Sequence, residues 1–202
     1  NCKCEIKRYW IIFIISIIIF AVEITGSYFS RSLALWSDAW HVLLDNTAIF
    51  ISLYIAYRIR EEKRSEEDIR RQGSIENAIL LLLIGIIVIY KGFTRLSSPP
   101  QIELFMMLPV AIFGGLGNFF QYQILEKVEK NDRHKTHKWL AIHIFFDLLQ
   151  SIAVVICAIV IILTGEMIID PLISITIGIF MFLQAIIGLW KILRTPPSNY
   201  FC

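Results

Sequence analysis

Two apolar stretches of the sequence each contain a histidine that is followed four residues later by an aspartate. The first pair is His41 and Asp45, and the second is His143 and Asp147. Residues four apart on a helix share one face, with their Cβ atoms about 5 to 6 Å apart. Where two such helices lie side by side, two imidazoles and two carboxylates meet, which is the number and type of ligands that a tetrahedral zinc ion takes. The spacing therefore predicts a metal site made of these four side chains.

The charge of such a site is balanced only when an ion fills it. The two aspartates contribute two negative charges against a divalent cation, so the occupied site is formally neutral. Without the ion the carboxylates repel each other, and protons must replace the metal. Imidazoles, with a reference pKa of about 6.5, are the expected carriers of these protons. Zinc and protons are therefore predicted to compete for one site.

The other polar residues of the apolar stretches have less specific roles. Asp38 lies on the same helix face as the first pair and would be a fifth ligand, so we expect it to support the fold or the ligands. Glu23, Asn118 and Gln121 could line the same cavity or join neighbouring helices by hydrogen bonds. Asp170, which is followed by a proline, is expected to begin a helix, because a carboxylate is favourable near a helix N-terminus.

These residues belong to a chain that is too apolar to be a water-soluble globular protein. Of its 202 residues 56% are hydrophobic and 18% are charged, whereas soluble domains carry about 25% charged residues. A helix needs about 20 apolar residues to cross about 30 Å of hydrocarbon. Six stretches reach this length, at residues 9–29, 33–57, 75–94, 104–125, 139–163 and 168–190. The sequence predicts an all-α membrane protein of six transmembrane helices, with residues 1–202 forming one transmembrane domain.

The distribution of positive charge predicts the orientation of the chain. Of the 19 Lys and Arg residues, all but Arg31, Lys91 and Arg95 lie in the two terminal segments or in the loops 58–74 and 126–138. Basic segments stay in the cytosol, so both termini and both of these loops are predicted to be cytoplasmic. A cleaved signal peptide is an alternative for the first span, although no small-residue cleavage pattern follows it. We expect no nucleic-acid partner.

The four cysteines do not predict a disulfide framework. Cys2, Cys4 and Cys202 fall on the predicted cytosolic side, which is reducing, and Cys157 lies inside an apolar span. We expect Cys157 to be a small core residue. Cys2 and Cys4 could offer two thiolates to a soft metal, but a disordered tail is the simpler interpretation of this terminus.

Three stretches around the two pairs carry a resemblance to a known family. They are residues 23–45 (EITGSYFSRSLALWSDAWHVLLD), residues 142–151 (IHIFFDLLQS) and Asp170–Pro171. Together they resemble the cation diffusion facilitator family of zinc transporters, and the similarity extends over nearly all six spans. It implies a protomer of six helices that exports a divalent metal from the cytosol or into an organelle, usually in exchange for protons.

The resemblance also implies roles for individual residues. Carried over to matching positions, it makes His41, Asp45, His143 and Asp147 the four transport ligands. A histidine at the first of these positions goes with zinc preference in the family, whereas manganese transporters typically have aspartate there. It also implies a homodimer, or a heterodimer with a related protomer, in the lipid bilayer of the plasma membrane or of an organelle.

One departure from the family pattern concerns the C-terminal end. Family members usually continue after the sixth helix into a cytoplasmic metal-binding domain, whereas this chain ends about a dozen residues beyond Trp190. We therefore expect no such domain within these residues, and both a fragment and a natural short form stay open. His134 and His137 lie in the loop before the fifth span, where they are expected to be ordinary solvated residues.

We therefore expect a zinc transporter and not an enzyme, with Zn²⁺ as its transported substrate and no catalytic cofactor. Metal and protons would be exchanged as the site opens alternately to the two faces of the membrane. An intramembrane zinc metalloenzyme is one alternative, but it would leave a coordination position for water and supply a general base. A non-transporting partner subunit of a zinc transporter heteromer is the other, but it would have no need of complete ligands on both helices.

Overall fold

The computed structural model describes residues 2–58, 66–126 and 135–194, and their side chains within 10–47, 71–124 and 145–194. Its six helices are α1 (Cys2–Ser30), α2 (Leu33–Arg58), α3 (Glu66–Leu96), α4 (Leu104–Glu126), α5 (Lys135–Thr164) and α6 (Ile169–Arg194). These described ranges contain no strand. The prediction of an all-α chain with six long helices is confirmed. Each predicted span lies within one helix, except that the span 168–190 begins one residue before α6. Helices α1, α3 and α5 begin seven, nine and four residues before their predicted spans.

Five of the helices are long and apolar enough to cross a membrane. The qualifying stretches are Trp10–Ser30, Arg71–Leu96, Leu104–Ile124, Phe145–Thr164 and Ile169–Arg194. Helix α2 is not among them within the described part of the chain. The side chains of α2 are described only as far as residue 47, and this part of the helix carries Asp38, His41 and Asp45.

The distribution of polar and apolar side chains is the reverse of that in a water-soluble protein. Large apolar residues such as Phe105, Leu163 and Leu193 are 94%, 79% and 70% exposed. Ionisable residues such as Glu23 and His41 are both fully buried, at 0% exposure. Continuous apolar surface of this extent is unfavourable in water and is suited to contact with lipid. The chain is a multi-pass integral membrane protein.

Helix α2 occupies the centre of the packing arrangement. It contacts α1, α3, α5 and α6. Helix α1 also packs on α4, and α4 packs extensively on α5. Helices α3 and α6 form the most extensive pair of all. This arrangement places α2 and α5, which carry the two histidine–aspartate pairs, against each other.

The α3–α6 pair is close because glycines face each other across it. A Cβ atom built on Gly85 would lie 3.0 Å from the carbonyl oxygen of Gly178 and 3.1 Å from the amide nitrogen of Phe182. Both of those atoms belong to the α6 backbone, which cannot move away as a flexible side chain could. Small residues allow this kind of backbone approach where lipid supplies no hydrophobic drive for helix association. The glycines therefore let α3 and α6 pack as one tight unit beside α2.

Candidate functional site

Helix α2 directs Asp38, His41 and Asp45 into the bundle. Their spacing of three and then four residues places Asp38, His41 and Asp45 along one face of the helix. Asp38 is 1% exposed and His41 is 0% exposed, and the Asp45 side chain is 12% exposed. Asp147 of α5 is buried as well, at 5% exposure. Four ionisable side chains from two helices therefore point inward, away from the lipid-facing surface.

His41 lies between two carboxylates. Its Nε2 atom is 3.4 Å from Oδ2 of Asp45 and 3.2 Å from Oδ1 of Asp147. The nearest carboxylate to Nε2 is therefore supplied by α5, the neighbouring helix. One ligand atom from each of the three residues lies within 4.8 Å of the other two.

These distances suit a divalent metal ion. Ligand atoms on a tetrahedral zinc ion are about 3.4 Å apart, which follows from metal–ligand bonds of about 2.1 Å. The His41 Nε2 contacts to Asp45 and Asp147 already have this separation, at 3.4 and 3.2 Å. The three side chains could therefore hold a metal ion with small movements.

His143, the remaining residue of the predicted set, belongs to α5. It precedes Asp147 by four residues, about one helical turn, so the two residues share one face of α5. Its side chain lies outside the described residues. Its role as the fourth ligand stays a prediction.

Asp38 has partners that set it apart from the other three. Gln150 Nε2 donates a hydrogen bond to Oδ1 of Asp38 at 3.2 Å, and Ser151 Oγ donates to Oδ2 at 2.9 Å. Asn118 Nδ2 of α4 donates in turn to Ser151 Oγ at 2.9 Å. Asp38 thus joins α2 to α5, and through Ser151 to α4. These bonds suit the supporting role expected for Asp38.

Gln150 and Ser151 were not among the residues predicted for the site. A signal was present, because these residues follow Asp147 by three and four positions and therefore lie on the same face of α5. They are both buried, at 5% and 0% exposure. The buried polar face of α5 is thus longer than the histidine–aspartate pair alone.

Gln121 has hydrogen-bond partners on a neighbouring helix, whereas the Glu23 carboxylate has none among the described side chains. Gln121 Nε2 donates to Ser16 Oγ at 2.6 Å and to the Ile12 carbonyl at 3.1 Å, so it joins α4 to α1. Glu23 is fully buried at 0% exposure. Neither of its carboxylate oxygens has a hydrogen-bond partner among the residues whose side chains are described. It lies directly against Gly114 of α4, where a larger side chain would meet the carboxylate.

Other cysteine and histidine expectations are only partly tested. Cys157 is buried in the apolar core and is a free thiol, as expected. Helix α1 begins at Cys2, so the expectation of a disordered tail there is wrong, and His137 belongs to α5 rather than to a loop. The side chains of Cys2, Cys4 and His137 lie outside the described set, and the whole of His134 does so. Their roles stay predictions.

The chain is similar in sequence to several bacterial metal transporters. It is 34% identical over 193 residues to the zinc transporter ZitB of Yersinia pestis, an alignment that covers 93% of this chain and 60% of that protein. It is 34% identical over 164 residues to the metal cation efflux system protein CzcD of Cupriavidus metallidurans, covering 79% of this chain and 51% of that protein. It is 29% identical over 166 residues to the cadmium, cobalt and zinc/H(+)-K(+) antiporter of Bacillus velezensis, covering 79% of this chain and 53% of that protein. The chain thus spans about half to 60% of the length of these relatives.

A family model gives the same assignment over almost the whole chain. The model of the cation efflux transmembrane domain matches residues 9–195, which include His41, Asp45, His143 and Asp147. The match confirms the resemblance found in the sequence, and it agrees with the expectation of a transporter rather than an enzyme. The chain belongs to the cation efflux family, and it carries the transmembrane domain of that family.

Proposed function

We propose that this chain moves zinc across a membrane and that His41, Asp45, His143 and Asp147 hold the ion during transport. The observation that carries the proposal is the position of His41 Nε2, 3.4 Å from an Asp45 oxygen and 3.2 Å from an Asp147 oxygen inside an apolar bundle. Buried ionisable groups in a membrane protein need partners or a function, because each is expensive to place in hydrocarbon. A divalent cation would balance the two negative charges of the carboxylates.

The donor set favours zinc over harder metals. Imidazole nitrogen together with carboxylate oxygen suits zinc, whereas magnesium and manganese prefer oxygen ligands alone. Two aspartates make the site neutral when a divalent ion is bound, so the loaded site is tolerable within the bilayer. The names of the relatives point to the same substrate class, since they include zinc transporters from Yersinia pestis and other bacteria.

We further propose that zinc is exchanged for protons. Zinc needs neutral imidazoles and ionised carboxylates, so protons and metal bind the same atoms in competition. A site that has released zinc and taken up no proton would carry two bare carboxylates through the apolar bundle, which is unfavourable. Protons are therefore the natural counter-substrate for the return step. The Bacillus velezensis relative is named an antiporter that uses protons.

The proposed direction of transport, out of the cytosol, is the one that the family resemblance implies. We propose that the termini and the loops 58–74 and 126–138 lie in the cytosol, because they are basic and basic segments stay on that side of the membrane. Residues 1–202 then form one transmembrane domain that moves zinc out of the cytosol, either from the cell or into an organelle. A dimer of two such protomers, identical or related, is the assembly that the family resemblance implies.

The proposal is tested with the purified chain in liposomes that contain a trapped zinc-sensitive dye. Vesicles that are acidic inside should take up zinc faster than vesicles at matched pH, and an ionophore that collapses the gradient should remove the difference. An Asp45→Ala variant that inserts normally serves as the inactive control. If the wild-type chain gives no more zinc entry than this control, the proposed function is refuted. If zinc enters but pH on either side has no effect, zinc moves without proton exchange.

A further inference from the structure

The carboxylate of Asp170 makes its hydrogen bonds to the start of another helix. Asp170 belongs to the first turn of α6, as the sequence predicted. Its Oδ2 accepts a hydrogen bond from the Leu33 amide at 2.8 Å, and its Oδ1 accepts one from the Ala34 amide at 3.2 Å. The Ser32 hydroxyl donates a third, also to Oδ1, at 2.5 Å. The carboxylate therefore caps the N-terminus of α2 from outside that helix.

The cap completes the hydrogen bonding at the start of α2. The first amides of a helix have no partner within the helix, and here those of Leu33 and Ala34 are satisfied by Asp170. The next amide, of Leu35, donates to Ser32 Oγ at 3.1 Å. Asp170 and Ser32 are 0% and 2% exposed, so water is not available as a substitute. The position of α2 along its axis is thus tied to α6.

We propose that Asp170 is a positioning residue for transport, because it fixes α2 along its axis and in rotation so that His41 and Asp45 face Asp147. His41 lies nine residues after Ser32, about 13 Å along a rigid helix. A shift of α2 by one residue would turn its polar face by about 100° and move both ligands away from α5. This role rests on the proposed function, since it concerns the same zinc ligands.

Replacement of Asp170 by asparagine should release this constraint. Asparagine keeps the size of the side chain, but its amide group offers hydrogens where the Leu33 or Ala34 amide also offers one. At least one buried amide then loses its acceptor, and α2 can move to recover a partner. The first effect should be on zinc affinity, because the ligand atoms of α2 are displaced while those of α5 stay in place.

The experiment compares zinc binding and transport by D170N, S32A and the double variant in the full chain. Zinc Kd is measured by calorimetry, and KM and Vmax by uptake into liposomes. D170N should raise Kd and KM about tenfold, while Vmax changes less. S32A should raise them by a smaller factor, and the double variant should resemble D170N because both changes act through one cap. E166Q removes an exposed carboxylate four residues earlier in the chain and should behave as wild type.

The outcomes separate this inference from the proposed function. Wild-type Kd and KM in a folded D170N variant would overturn the positioning role. If D170N does not fold, the test rests on S32A, which should fold because it keeps the Asp170 carboxylate and its two amide hydrogen bonds. Unchanged zinc affinity in S32A then overturns the inference. A wild-type chain that neither binds nor moves zinc would refute the proposed function and, with it, this role.

Discussion

Replacement of Asp147 by asparagine removes one negative charge from the proposed zinc site and leaves the shape of the side chain unchanged. Asp147 is 5% exposed, and its Oδ1 lies 3.2 Å from His41 Nε2. With both aspartates the zinc-loaded site is formally neutral, and with one it carries a net positive charge inside the bundle. A charge of this kind costs about 2.5 to 3.5 kcal/mol at the centre of a membrane helix. Since 1.4 kcal/mol corresponds to a factor of ten, the Asp147→Asn variant should bind zinc about 60- to 300-fold more weakly.

The assay is competition for zinc between the purified chain and a calibrated dye, followed by uptake into liposomes at a zinc concentration below the wild-type KM. Uptake should fall by a factor similar to that in affinity. The control is Glu103→Gln, which removes a carboxylate from an exposed position and should leave both measurements unchanged. A folded Asp147→Asn variant with an affinity within about threefold of wild type would refute the charge-balance reasoning, because the site would then tolerate the extra charge.

Three further predictions follow from the described contacts. Exchange of His41 for Asp replaces a nitrogen ligand by a harder oxygen ligand, so uptake of manganese should rise relative to zinc in competition assays. An unchanged metal ranking would mean that residue 41 does not bind the ion. Ser151→Ala removes a hydrogen bond of 2.9 Å to Asp38. Thermal unfolding in detergent should show that the free energy of unfolding falls by about 1 to 3 kcal/mol. An unchanged unfolding midpoint would mean that this hydrogen bond does not stabilise the bundle. Gly85→Leu should lower the unfolding midpoint, because a Cβ atom added at this position would lie 3.0 Å from the α6 backbone. Gly188→Ala should leave the midpoint unchanged, because a Cβ atom added there would have no atom within 4 Å.

The helices and one face of the site could be predicted from the sequence because both depend on local spacing. A stretch of about 20 apolar residues is enough to define a membrane helix, and residues four apart share a helix face whatever lies opposite. His41 and Asp45 were therefore placed correctly on one face of α2. The structure shows that Asp147 of α5 faces this pair, with its Oδ1 atom 3.2 Å from His41 Nε2.

The partners of individual polar residues could not be predicted because they depend on how each helix is rotated about its axis. The sequence placed Asp170 correctly in the first turn of α6, but nothing local indicates that its carboxylate bonds to α2, more than 130 residues away in the chain. Asp38 and Glu23 are both buried acidic residues, yet only Asp38 has donors within reach among the described side chains. Such differences arise from the packing of α4 and α5 on their neighbours, which apolar periodicity does not specify.

The central claim is that zinc is bound by two imidazoles and two carboxylates between α2 and α5, and X-ray absorption of the purified, zinc-loaded chain tests it most directly. We predict one zinc ion per site with four nitrogen or oxygen ligands at about 2.0 to 2.1 Å, together with the outer-shell scattering of two imidazoles. Asp147→Asn should weaken this signal at the same zinc concentration. A first shell of sulfur at about 2.3 Å would place the metal on cysteines instead and would contradict the claim, as would a shell without imidazole scattering.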